Sequence, residues 1–276
     1  MSEPIVLRSR VLTALVLLPL VLGSVFGLPT PWFAAVVGIA VLVGAWEWAR
    51  LIGIDRRSSR WAYLALVVFL LSVFGSVVNA GVLIPAVLAI GVIWWLIALA
   101  VLIRCNAVAA SATPLAPGIG SVVGLLLLVP AWTGLVWLHA RPEGPWLVML
   151  VLVITWAADV GAYFAGRSLG RFKLAPRISP GKTWEGAVGG LLLATAAGYG
   201  MQAIVPAPTL NMPLYGLLVA VTVVFSIVGD LFESLVKRRA GVKDSGTLLP
   251  GHGGVLDRID SLTATATVFA AGLYWL

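Results

Sequence analysis

Hydrophobic residues in this chain run in long blocks, and the polar positions gather in the breaks between them. Nine blocks are long enough to cross a membrane, at approximately 11–28, 32–52, 61–78, 82–103, 121–138, 146–166, 186–205, 213–232 and 261–276. One crossing needs about 20 mainly apolar residues for a hydrocarbon layer of roughly 30 Å. Internal Pro and Gly do not disqualify a block, because neighbouring helices satisfy the backbone groups they free. The expected fold is an all-α polytopic transmembrane bundle of about nine spans. The first block is read as a span and not a cleavable leader, since it is long and leads through Pro29 and Pro31 straight into the next.

Composition agrees with lipid as much of the solvent. Of 276 residues, 61% are hydrophobic and 11% charged, with a mean hydropathy of +1.05, too little polar surface to coat a water-soluble globule. Charge then orients the bundle. When the breaks are sorted alternately, all of the 18 Lys and Arg residues but Arg141 fall on the side of the N-terminus. Positive charge is retained on the cytoplasmic side, so the N-terminus is expected inside and the C-terminus outside. The net charge of +7 is read as basic loops beside anionic lipid head groups, and no nucleic-acid partner is expected. Trp32, Trp61, Trp146 and Trp275 sit near block ends, where an aromatic belt accounts for them. Cys105, the single cysteine, is read as packing, and His139, on the outer side, as incidental.

The first five blocks, within 1–145, hold few ionisable residues and are expected to form a scaffold or lipid-facing part. The last four, within 146–276, carry two charged cytoplasmic loops and are expected to hold the chemistry. An acidic side chain at the centre of a span costs about 2.5–3.5 kcal/mol on insertion scales, so it faces a polar cavity or a partner. Asp159 lies in the sixth block, with Tyr163, Gly166 and Gly170 on its helical face. Asp230 shares a face with Glu233, Ser234 and Lys237 near the inner end of the eighth. Asp257 and Asp260 open the ninth helix, where capping and function are equally good readings. Glu47, between Trp46 and Trp48, is expected to pair with a nearby Arg. Carboxylates without a Cys or His cluster suit a hard cation such as Mg²⁺ rather than zinc.

Two loops lie beside those carboxylates. Gly181-Lys182-Thr183 resembles the tail of a phosphate loop, but the first glycine of that motif would fall at Pro176, so it is not one. Ser179, Lys182 and Thr183 can still hold phosphate oxygens ahead of a helix. In the loop 234–260, bases, acids and glycines alternate, and His252 stands between Gly251 and Gly253-Gly254, as suits a backbone packed against a phosphorylated ligand.

At this loop the chain resembles the phosphatidate cytidylyltransferases, also called CDP-diacylglycerol synthases. Their C-terminal signature is filled here by Ser234, Lys237, Arg238, Lys243, Asp244, Gly246, Leu249, Pro250, His252, Gly253, Gly254, Asp257, Arg258 and Asp260. Asp159 to Gly170, with the segment Ser179 to Gly186 that contains Lys182, Thr183 and Glu185, is also similar, although the family more often has Lys where Gly181 stands. The resemblance implies that CTP and phosphatidic acid give CDP-diacylglycerol and pyrophosphate with Mg²⁺, a second cation being left open. It also implies a bacterial-type inner membrane with the site on the cytoplasmic face, and a homodimer. On that basis Asp230, Asp257 and Asp260 are expected to bind metal with Asp159 nearby, and Lys182, Lys237, Arg238, Lys243 and Arg258 to clamp phosphates. Asp244, His252, Tyr163, Ser179, Thr183, Glu185, Ser234, Gly253 and Gly254 complete the expected site. A CTP-dependent lipid or polyprenol kinase would use a similar interface and release CDP. A transporter is disfavoured because the ionisable residues cluster at the inner edge and no matching pair of broken helices appears.

Overall fold

The computed structural model describes residues 3–80, 83–107, 114–204, 211–249, 251 and 253–276. Among them the chain forms α1 (Glu3–Gly27), α2 (Thr30–Leu51), α3 (Arg57–Ala80), α4 (Ile84–Ala107), α5 (Pro117–His139) and α6 (Gly144–Leu169). After α6 come β1 (Lys173–Ala175), β2 (Ser179–Thr183), α7 (Trp184–Ile204), α8 (Met212–Arg239) and α9 (Leu256–Trp275). Each hydrophobic block becomes one helix. Prolines at the first turns of α2, α5, α6 and α8 start those helices where a missing N–H costs nothing, and Asn211 caps α8 by accepting from the Leu214 N–H at 3.0 Å.

Several helices outrun their hydrophobic blocks, among them the two that frame the second charged loop. α8 continues past 232 to Arg239, and α9 begins at Leu256 instead of 261, because polar residues at the bundle edge need helical geometry but not lipid. Six helices among the described residues, α2 to α6 and α8, are long and apolar enough to cross a membrane, which makes this a multi-pass helical membrane protein. The nine-span expectation is met more coarsely. The apolar described part of α1, Leu15–Gly27, is short, and α7 and α9 are diluted by Gly, Ser, Thr and Tyr. The expected all-α bundle is present, with one short hairpin beside it. β1 and β2 form an antiparallel hairpin, Lys173 opposite Thr183 and Ala175 opposite Ser179, within what reads in sequence as a charged loop.

α9 runs through the centre, packed on α5, α8 and α4. Its hydroxyls are satisfied locally: Thr267 Oγ1 donates to the Thr263 carbonyl at 2.8 Å, and Thr265 meets Thr155 of α6 at 3.0 Å. Gly91 of α4 lies so close to Pro130 of α5 and Thr267 of α9 that a Cβ there would collide with both. α6 and α7 pack backbone to backbone, Gly189 and Gly190 facing the Gly161 and Ala158 carbonyls, as glycine spacing in membrane helices permits.

The two ends of the bundle differ. At one, His139 of α5 stacks on Phe33 with ring centroids 4.1 Å apart and hydrogen-bonds Thr30 Oγ1 and the Val25 carbonyl, each at 3.0 Å. It is thus a buried clamp joining α1, α2 and α5, not an incidental residue. At the other end lie the hairpin, the loop between α8 and α9, and the carboxylates. Ala175 and Ile178 of the hairpin bury in the core that contains Trp95, Leu235 and Val236, and Asn106 of α4 donates to the Leu174 carbonyl at 3.3 Å.

Candidate active site

A cavity of about 620 Å³ opens at this polar end, walled by α6, the hairpin, α7, α8, the α8–α9 loop and the start of α9. It receives Asp159 and Tyr163 from α6, Lys182 and Thr183 from β2, Asp230 and Lys237 from α8, Asp244 from the loop, and Asp257, Arg258 and Asp260 from α9. Segments up to about a hundred residues apart in sequence therefore meet, and Asp230 and Asp257 share one cavity, as the expected chemistry requires.

Two cation–carboxylate pairs cross it. Lys182 Nζ lies 2.5 Å from Asp230 Oδ2, whose other oxygen meets Ser234 Oγ at 3.4 Å. Lys237 Nζ donates to Asp257 Oδ1 at 2.7 Å and lies 3.4 Å from Glu233 Oε1. Asp257 Oδ2 accepts from the Ser245 N–H at 2.9 Å, Ser245 Oγ at 2.9 Å and the Gly254 N–H at 2.8 Å. This carboxylate, buried at the first turn of α9, organises the loop as well as facing the cavity. Gly253, at φ +82°, has no room for a side chain, since a Cβ would meet the same Oδ2 at 2.6 Å.

Asp159, Asp230 and Asp260 lie within electrostatic reach of one another, so the cavity gathers negative charge opposite Lys182, Lys237 and Arg258. All of these acids offer hard oxygen donors, but among the described residues no three His, Cys, Asp or Glu side chains form a ready metal cage. Glu233 joins them from below: it is buried, and both its carboxylate oxygens lack a hydrogen-bond donor. The sequence places it on the face of Asp230 and Lys237, but its burial becomes visible only when α9 closes over α8.

The remaining expected residues fall around the cavity. Thr183 Oγ1 accepts from the Gly186 N–H at 3.1 Å and so caps α7. Ser179 begins β2, opposite Ala175. The half-buried Glu185 accepts from the Phe172 N–H at 3.2 Å and latches the hairpin, and its carboxyl is held below the usual carboxylate range, first by its own backbone N–H and then by those of Arg171 and Phe172. Arg238 and Lys243 are exposed, and do not line the cavity. His252, and Pro250 beside it, lie outside the described residues.

Glu47 departs from expectation. Among the described residues no ion pair joins it to an Arg or Lys. It accepts instead from the Val255 N–H at 3.1 Å, the Leu256 N–H at 2.8 Å and Ser245 Oγ at 3.1 Å. The start of α9 supplies donors that are free by helix geometry, and its dipole favours a carboxylate there.

A family model described as the cytidylyltransferase family matches residues 8–276. The chain is similar to the phosphatidate cytidylyltransferase of Pseudomonas aeruginosa, 46% identical over 269 residues that cover 98% of this chain and 97% of that protein. It is 37% identical to the phosphatidate cytidylyltransferase of Haemophilus influenzae over 288 residues, covering 96% and 97%. To the enzyme of that name from Brucella suis it is 49% identical over 129 residues, 46% of this chain and 47% of that one. With nearly its whole length matched, this chain belongs to the cytidylyltransferase family.

Proposed function

We propose that this protein transfers the cytidylyl group of CTP to phosphatidate, releasing pyrophosphate and leaving CDP-diacylglycerol in the membrane. The observation that carries this reading is the meeting of Lys182, Asp230, Lys237, Asp257 and Arg258 in one cavity at the polar end of an apolar bundle. A water-soluble nucleotide and a lipid can meet only at such a boundary. The alternating Lys and Arg bias of the breaks supports the cytoplasmic face of a bacterial-type inner membrane, with nine crossings.

In the reaction, an oxygen of the phosphatidate phosphate attacks the α-phosphorus of CTP as the bond to the β-phosphate oxygen breaks, and pyrophosphate departs with that electron pair. The attacking phosphate is already ionised near neutral pH, so no side chain must remove a proton. The difficulty is repulsion between two anions, and catalysis rests on positioning and charge compensation. Lys182, Lys237 and Arg258 reach the cavity from three different elements, which lets them hold phosphates of both substrates in line. Arg238 and Lys243, exposed beside it, draw anions toward the opening.

The donor set fits Mg²⁺: Asp159, Asp230, Asp257 and Asp260 offer only hard oxygens to one cavity. Held by Asp230, Asp257 and Asp260 with Asp159 nearby, the ion would neutralise phosphate charge as a Lewis acid. Asp257 would join that set through Oδ1, the oxygen it shares with Lys237, because Oδ2 is committed to the loop.

Incubation of the purified protein with labelled CTP and phosphatidate, with and without Mg²⁺, tests this. CDP-diacylglycerol and pyrophosphate formed only with Mg²⁺ is the expected result. CDP and a newly phosphorylated lipid would replace the reading with a kinase.

A further inference from the structure

Glu47 sits four residues from the end of α2, buried to 4% exposure, in the part of the chain expected to serve as scaffold. A carboxylate is costly there unless something demands it. Its three donors all belong to the segment that builds the cavity, although they lie about two hundred residues away in sequence. Leu256, whose N–H it holds, directly precedes Asp257 and Arg258. Ser245, whose hydroxyl it receives, also contacts Asp257 Oδ2 at 2.9 Å, and Asp257 Oδ1 in turn holds Lys237. The Ser245 hydroxyl has one proton, so the two carboxylates share a single bridging donor.

The glycines of the loop are shaped around this contact. A Cβ at Gly246 would be driven into the Glu47 side chain, whose atoms are its three nearest neighbours, and one at Gly254 would meet both Glu47 and Ser245. The loop therefore lies on Glu47 as on a template.

We propose that Glu47 is a positioning residue of the active site: from α2 it fixes the height of the first turn of α9 and, through Ser245, the Asp257–Lys237 pair. The inference rests on the cytidylyltransferase reading above and assigns the second helix a part in it. Glu47 touches no reacting atom. Gln has one acceptor oxygen where Glu has two, so in Glu47→Gln either the Val255 N–H or the Leu256 N–H and Ser245 face an amide donor.

The test compares wild type, Glu47→Gln, Ser245→Ala and Gly246→Ala, each purified and checked by size exclusion and thermal melting, for kcat and for the KM of CTP. Glu47→Gln and Gly246→Ala are expected to lose about ten- to a hundredfold in kcat/KM, as when a group supporting a site's ligands is removed, with KM for CTP raised severalfold. Ser245→Ala, which keeps the two backbone donors, falls in between. A residue needed only for folding would lower kcat through the active fraction and leave KM alone, and that pattern overturns the proposal. So would wild-type kinetics in Glu47→Gln. Should Glu47→Gln not fold, Gly246→Ala decides, because it keeps Glu47 and its added Cβ meets the Glu47 side chain first; wild-type KM there ends the proposal. Failure of the wild type to make CDP-diacylglycerol would instead sink the function reading, and the positioning role with it, before any variant is compared.

Discussion

Two walls of the cavity each present a lysine–aspartate pair, built in different ways. Lys182–Asp230 joins the hairpin to α8, with side chains 25% and 29% exposed, and the hairpin that carries Lys182 is a short excursion between helices. Lys237–Asp257 joins α8 to α9 with side chains 13% and 4% exposed, and its aspartate is tied by three further donors to the loop and indirectly to α2. Water and arriving phosphates can compete for the first pair. The second cannot change partner unless the loop moves. One wall is thus suited to exchanging charge with substrate and the other to holding a fixed reference, a division that serves a reaction in which two anions must be aligned.

The strongest way to break that comparison is Asp257→Asn. It removes a carboxylate from the cavity and leaves Lys237 with weakened compensation, so turnover is expected to fall about a hundred- to a thousandfold. Stability should drop by about 3 kcal/mol, the scale for breaking a buried pair. Product analysis and denaturant unfolding of the purified variant measure both, and retained turnover would remove Asp257 from the centre.

Next in size is the contrast between Lys182→Gln and Lys237→Gln. Both should lose about a hundredfold in turnover if each lysine binds phosphate. Only Lys237→Gln should lose stability on the scale of Asp257→Asn, because the Lys182 pair is open to solvent and such pairs contribute about 1 kcal/mol or less. Equal unfolding midpoints for the two variants would erase the distinction between the walls.

What sequence reveals of these walls follows from the range of each interaction. The helices are legible because block length and proline position are local, and so is the face shared by Asp230, Glu233, Ser234 and Lys237, all within two turns of α8. In-span carboxylates and the loop motifs name the candidate residues of the cavity, and the fold brings ten of them to its lining. The hairpin is not legible: β1 has three residues, and the inner side chains of the hairpin, Ala175 of β1 and Ile178 of the turn, gain their meaning only from the core that α4 and α8 provide. The partners of Glu47 are hidden from the sequence for the same reason. An arginine lies three residues on at Arg50, while its true partners are the backbone of α9 and Ser245, and no periodicity within α2 encodes a contact across 198 to 209 residues.

The mildest test concerns Glu185, which separates the hairpin as a mechanical element from the hairpin as a ligand site. Its carboxyl lies below the usual carboxylate range because the folded hairpin directs N–H groups at the ionised form. A group whose folded pKa is depressed stabilises above its unfolded pKa and loses that contribution as pH falls through the folded value. The latch to Phe172 should therefore hold at neutral pH and loosen only in acid. Hydrogen exchange at the Phe172 amide, corrected for the intrinsic pH dependence, should be slow at neutral pH and rise in acid; in Glu185→Gln it should be faster at neutral pH and lose that rise. Since Glu185 does not line the cavity, turnover should fall only slightly. A raised KM for CTP with unchanged exchange would mean that Glu185 contacts the nucleotide itself, and that the more open wall extends past Lys182 to the start of α7.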